Sequence, residues 1–128
     1  MYTGLTPMLI CSDVQASIKF YEEALGLEVT NRMDDVGKTG WASMGKDGIH
    51  LMLASPEYFP EMPKVQDRYF QAQYYFYVDD LEGLREHIVS KGYEPTGIIE
   101  QSYGMREVEM PDPDGHILIF GQDMKKDA

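Results

Sequence analysis

The stretch EMPDPDGHILIF, Glu109 to Phe120, sets a polar turn ahead of a short apolar strand, and a weaker copy, MGKDGIHLML, Met44 to Leu53, lies upstream. In each, Asp can bond its own backbone and Gly supplies positive φ, which is the chemistry of a turn between two paired strands. The spacing of the copies is constant: Asp114 minus Asp47 is 67, Gly115 minus Gly48 is 67, and Asp79-Asp80 minus Ser12-Asp13 is again 67. The chain is a two-copy repeat.

Working outward from the turns, each copy reads as strand, helix, strand, strand, strand. In the first, LTPMLIC is a strand and SDVQASIKFYEEALG a helix, with Ser12 or Asp13 as N-cap and Val14, Ile18, Tyr21 and Leu25 at helical spacing. Gly26 closes it. LEVTNRM, GWASMG and IHLMLA supply three more strands. In the second copy AQYYFYV is the strand and DDLEGLREHIVSKG the helix, with Leu81, Leu84 and Ile88 on its buried stripe and Gly92 as its stop. Strands around EPTGIIE, MREVEM and HILIFGQ complete it. The fold class expected is α+β, one domain of two βαβββ modules at 1–55 and 68–122, joined by a proline-bearing linker at 56–67.

Composition limits the function classes. The 128 residues are 43% apolar, and 5 Phe, 1 Trp and 9 Tyr support a packed core. A formal charge of −11 repels nucleic-acid phosphates and anionic lipid surfaces, so neither nucleic acid nor membrane is an expected partner. The same charge keeps a small protein in solution, or favours a cationic ligand. No apolar run approaches the ~20 residues of a membrane-spanning helix. The single cysteine, Cys11, lies in an apolar run with no activating neighbour and reads as a buried, inert thiol in a reducing, cytoplasmic protein. Neither a Ser-His-Asp pattern, a phosphate-binding glycine loop nor zinc-type cysteine spacing is present.

The segments SDVQASIKFYEEALGLEV and YGMREVEMPDPDGHILIFGQ, set in a two-copy βαβββ order, resemble the vicinal oxygen chelate superfamily of glyoxalases, bleomycin resistance proteins and extradiol dioxygenases. The resemblance covers nearly the whole chain and specifies fold better than activity. It implies that each module curls into a half-open cup and that the pair encloses a ligand site. It also implies that in the enzymes a divalent ion is held by His, Glu or Gln on the first and last strands of each module. Carried over by position, those sites fall on Thr6, Met52, Gln73 and Ile119. Only Gln73 is a usual ligand type, so the expectation is no metal and no cofactor.

Strand alternation places Met8, His50, Met52, Gln73, Tyr75, Tyr77, Ile117 and Ile119 on the inner faces, with Trp41, Glu107 and Glu109 beside them. His50, Gln73 and Glu107 offer an irregular metal site in principle, although a lone strand His is more often a hydrogen-bonded wall residue. His87 and His116 read as surface or turn residues, and Arg106 as the partner of a neighbouring carboxylate. Apolar walls with a few polar points suit a small molecule, and aromatic faces with carboxylates suit a planar or cationic one. The ligand-binding set expected is Trp41, His50, Met52, Gln73, Tyr75, Tyr77, Glu107, Glu109 and Ile119, although aromatics at period two also serve as plain core.

The leading reading is a metal-independent protein that sequesters a small aromatic or cationic molecule, as the drug-binding members related to antibiotic resistance do. The alternatives are a metal-dependent lyase, isomerase or thiol transferase of the glyoxalase type, and a dimeric scaffold with a vestigial cup. The linker residues Glu57, Tyr58, Phe59, Glu61, Met62, Tyr69 and Phe70 are apolar enough for a lid or a dimer contact, and a homodimer is expected.

Overall fold

A computed structural model describes residues 1–34, 40–58 and 72–124. The chain divides into two compact units, Met1–Lys64 and Val65–Ala128. The first holds β1 (Met8–Ile10), α1 (Val14–Leu25), β2 (Glu28–Met33), β3 (Trp41–Lys46) and β4 (Ile49–Ala54), followed by a single 3-10 turn at Pro56–Tyr58. The second holds β5 (Gln73–Tyr77), α2 (Leu81–Ser90), β6 (Ile99–Glu100), β7 (Met105–Pro111) and β8 (Ile117–Asp123). Sheet order is β1-β4-β3-β2 in one unit and β5-β8-β7-β6 in the other, with one parallel pair in each. The two βαβββ modules of the α+β fold are therefore present.

The repeat survives in the registers. Met8 pairs with Met52 and Tyr75 with Ile119, so both members shift by 67. Across the hairpins Trp41 faces Ala54 and Glu107 faces Gly121: 121 minus 54 is 67, but 107 minus 41 is 66. The DPDG loop is one residue longer than its upstream copy. Trp41 and Glu107 thus hold equivalent places in the two sheets. At the shorter turn Asp47 and Gly48 both take positive φ, and in the longer one Gly115 does.

Both helices start on an aspartate. Asp13 Oδ1 accepts from the Ala16 N–H at 3.2 Å and Asp80 Oδ1 from the Gly83 N–H at 3.1 Å. Gly26 closes α1 in the left-handed region, with φ at 71°. Gln122 fastens the start of α2 to β8, accepting from the Leu81 N–H and donating to the Asp79 carbonyl. Val14, Ile18 and Tyr21 are buried as expected, while Phe20 and Ala24 widen the apolar face and Leu25 is only half-buried. In the second unit Leu81 and Ile88 of α2 are buried, as are Val108, Met110, Leu118 and Phe120 of β7 and β8, the strands that α2 contacts.

Two strands are shorter than their patterns suggest. β1 begins at Met8 because Pro7 has no N–H to give, although its carbonyl still accepts from the Met52 N–H at 2.9 Å. Thr6 thus precedes the sheet. β6 is only Ile99–Glu100, after a stretch carrying Pro95 and Gly97. There Thr96 replaces regular ladder bonds by pairing its own N–H with the Glu109 carbonyl and its hydroxyl with the Glu109 N–H. Of the linker residues singled out from sequence, Phe59, Glu61, Met62, Tyr69 and Phe70 lie outside the described residues, whereas Glu57 and Tyr58 form the 3-10 turn capped by Ser55.

Candidate functional site

In the second unit the register sets Tyr77, Gly121, Glu107 and Ile99 in one row across four strands, with Tyr75, Ile119 and Glu109 in the adjoining row. Alternation turns both rows away from α2, since Val108, Met110, Leu118 and Phe120 fill the other face. Gly121 leaves a gap in its row. Tyr75 fills it: a Cβ on Gly121 would overlap the Tyr75 hydroxyl and ring. From there the phenol donates to Glu107 Oε2 at 2.7 Å.

A tight turn supplies two more donors. Gly104, at φ 86°, closes a loop in which the Gly104 N–H bonds the Gln101 carbonyl at 3.1 Å and the Gln101 N–H bonds the Met105 carbonyl at 2.8 Å. That geometry brings the Tyr103 hydroxyl to Glu107 Oε2 at 2.6 Å and the Gln101 amide to Oε1 at 3.2 Å. Glu107 is only 7% exposed and is held by three neutral donors. Its neighbour Arg106 turns to the helix side and pairs with Glu82 at 2.7 Å. Among the described residues no cationic side chain pairs with Glu107.

The electrostatics follow from burial at Tyr75 and from hydrogen bonding at Tyr103. Desolvation, and then donation to Glu107, raise the Tyr75 phenol well above its ordinary range, and donation to Glu107 raises that of Tyr103. Both phenols stay protonated and both act as donors. The rings of Tyr75 and Tyr77 lie 5.0 Å apart at 51°, and Tyr77 is 83% exposed.

On the first sheet the equivalent face carries Met8, Trp41, Ser43, His50 and Met52. Trp41 and Met52 are half-buried, His50 is exposed, and Ser43 accepts from the Thr30 hydroxyl at 3.0 Å. Of the expected contact residues, the structure therefore joins Tyr75, Tyr77 and Glu107 in one cluster. Glu109, Gln73 and Ile119 share their face outside the hydrogen-bonded cluster, and Trp41, His50 and Met52 stand on the other sheet. Gln101 and Tyr103 were not anticipated. The signal for them was the QSYG turn directly before β7, which strand alternation does not reach.

A divalent ion fits the described residues poorly. Thr6, Met52 and Ile119 offer no imidazole or carboxylate, and Gln73 pairs in register with Ile117 at the exposed start of β5. Among the described residues no group of three or more His, Cys, Asp or Glu is placed to hold a metal.

The family model described as Glyoxalase/Bleomycin resistance protein/Dioxygenase superfamily matches residues 5–120. Comparison with curated proteins finds no sequence match. Among solved structures, a member of that superfamily from Sphaerobacter thermophilus superposes with a TM-score of 0.77 at 17% identity, covering 96% of this chain and 98% of its own. A bleomycin-binding protein complexed with bleomycin gives 0.71 at 21% identity, over 95% and 99% of the two chains. Lactoylglutathione lyase from Agrobacterium tumefaciens gives 0.72 at 17%, over 94% of each. At these identities the likeness is one of fold.

Proposed function

The chain belongs to the glyoxalase/bleomycin resistance protein/dioxygenase superfamily, and from that membership we propose a metal-independent protein that sequesters a small aromatic or cationic molecule. One observation carries the reading: the positions matched to the family's metal ligands hold Thr6, Met52, Gln73 and Ile119, while the second sheet presents phenols around a buried carboxylate. A Lewis-acid mechanism needs hard donors at those positions. Sequestration needs only surface complementarity, which half-buried aromatics and a few polar groups supply. Ligand contact is assigned to Trp41, His50 and Met52 on the first sheet, and to Gln73, Tyr75, Tyr77, Glu107, Glu109 and Ile119 on the second.

Elemental analysis of the purified protein and a binding titration with and without EDTA test this together. The expected result is no stoichiometric transition metal and an unchanged affinity. Tyr75→Ala should weaken an aromatic guest by roughly 1–2 kcal/mol, the range for a desolvated ring contact. A bound metal, with turnover of a thiohemiacetal or epoxide that chelation abolishes, would establish the lyase, isomerase or transferase reading instead.

We also take the functional form to be a homodimer of two-module chains, in a reducing cytoplasm. Exposed Met8, Met33, Ile49 and Ile99 support the first point and the buried Cys11 thiol the second. Among the described residues no helix is long and apolar enough to cross a membrane. Sedimentation at micromolar concentration should give twice the chain mass; a pure monomer would refute the dimer.

A further inference from the structure

We infer that Glu107, with Tyr75, Tyr77 and Tyr103 around it, is a subsite for an ammonium group that carries at least one N–H. The inference rests on the small-molecule-binding reading and narrows it to one chemical class and one anchoring carboxylate.

The argument starts from an imbalance of charge. A carboxylate at 7% exposure normally keeps a cation as partner, because hydrogen bonds from neutral donors stabilise it without cancelling its charge. Here the donors are two phenols and an amide, and the adjacent Arg106 faces away to Glu82. A guest cation would supply the missing charge where water screens it least.

The partners also differ in how firmly they are held. Tyr75 lies over Gly121, its ring and hydroxyl filling the space that a side chain there would take. Tyr103 is 64% exposed, so water can satisfy its hydroxyl as well as Glu107 does. The Tyr103 bond is therefore the exchangeable one, and a charge-assisted N–H bond to the same oxygen is stronger than the neutral bond it replaces. Carboxylate Oε1 accepts only the Gln101 amide among the described residues, leaving a second lone pair for another N–H. The tilted faces of Tyr75 and Tyr77, 5.0 Å apart, add a surface on which a cation is attracted to the rings.

Three probes of one shape class test this on the full chain at neutral pH: benzylammonium, benzyl alcohol and benzyltrimethylammonium. Their dissociation constants are read from shifts of the tyrosine ring signals in NMR titrations. The native protein should bind benzylammonium roughly tenfold more tightly than the alcohol, with the N–H-free trimethyl cation between them, as a charge-assisted bond plus a cation–π contact requires. Glu107→Gln should bring the ammonium-to-alcohol ratio down to about twofold or less. Glu28→Gln, which removes the same unit of charge from an exposed strand position in the other unit, should preserve the ratio. Tyr103→Phe keeps the ring and removes the competing hydroxyl, so it should preserve or raise the ratio. Tyr103→Ala should lower it. The native and Tyr103→Phe arms decide the matter even if Glu107→Gln does not fold. A ratio unaffected by Glu107→Gln, or equally reduced by Glu28→Gln, overturns the subsite. Alcohol binding without any ammonium preference overturns the subsite and leaves the small-molecule reading standing. No binding of any probe overturns both.

Discussion

Gly121→Ala should destabilise the protein by about 2–3 kcal/mol, although alanine in a strand ordinarily gains roughly 0.5–1 kcal/mol over glycine. The added Cβ falls where the Tyr75 hydroxyl and ring lie, so Tyr75 must leave its place across the strand. Its bond to Glu107 Oε2 is then lost, and hydrogen bonds to a charged group contribute about 1.5–3 kcal/mol each. What remains is a buried carboxylate with one donor fewer. Urea unfolding gives the cost directly, and a double-mutant cycle assigns it to the pair. In a Tyr75→Ala background the ring is gone, and Gly121→Ala should cost no more than about 0.5 kcal/mol, the difference being the coupling between the two sites. An unaltered unfolding midpoint for Gly121→Ala in the native background would mean that Tyr75 is not held where the structure places it.

Asp112→Ala should cost about 2–4 kcal/mol, and the loss should depend on pH in a defined direction. The Asp112 side chain is fully buried, and its Oδ1 accepts from the Asp114 and His116 N–H groups at 2.9 Å each. Nδ1 of His116 lies 2.8 Å from Oδ2, with the imidazole donating because a carboxylate can only accept. The hydrogen bond to Asp112 raises the His116 pKa above its ordinary value. A group whose pKa is higher folded than unfolded contributes stability that is fully present below the unfolded value of ~6.5 and is lost as pH rises through the folded value. Native stability should therefore fall as pH climbs above ~6.5. Asp112→Asn keeps an acceptor for the two backbone N–H groups but removes the charge, so it should flatten that slope while costing less than the alanine. His116→Gln should flatten it too. A slope that persists in both variants would trace the pH dependence to another group.

The behaviour of that turn separates what the residues declare from what folding adds. The reading of DPDG as a hairpin turn was correct, and so was His116 as a turn residue. What the chain order does not reveal is that Asp112 is buried and spends its carboxylate on three donors. Likewise Arg106 was expected to pair with a carboxylate, and it does, but its partner Glu82 lies on a helix 24 residues away. Gln122 reads as an ordinary polar strand end, yet it fastens the first turn of α2.

The sequence by itself determined the two-copy organisation, the order of the eight strands and two helices found among the described residues, and by alternation which faces of β4, β7 and β8 meet a helix. These are local properties: turn chemistry, capping and the periods of 2 and 3.6 are written in residues a few positions apart. Family membership also came from such patterns. Only the tertiary structure decided that Trp41 and Glu107 are equivalent positions, since a single extra loop residue shifts the register by one. It also decided that Tyr75 leans across Gly121 and that Gln101 and Tyr103 join Glu107. Those contacts depend on the absence of one side chain in a neighbouring strand and on a left-handed turn at Gly104. A diagonal reach between strands 32 residues apart has no periodic signature, because it is set by which side chain fills the space another leaves.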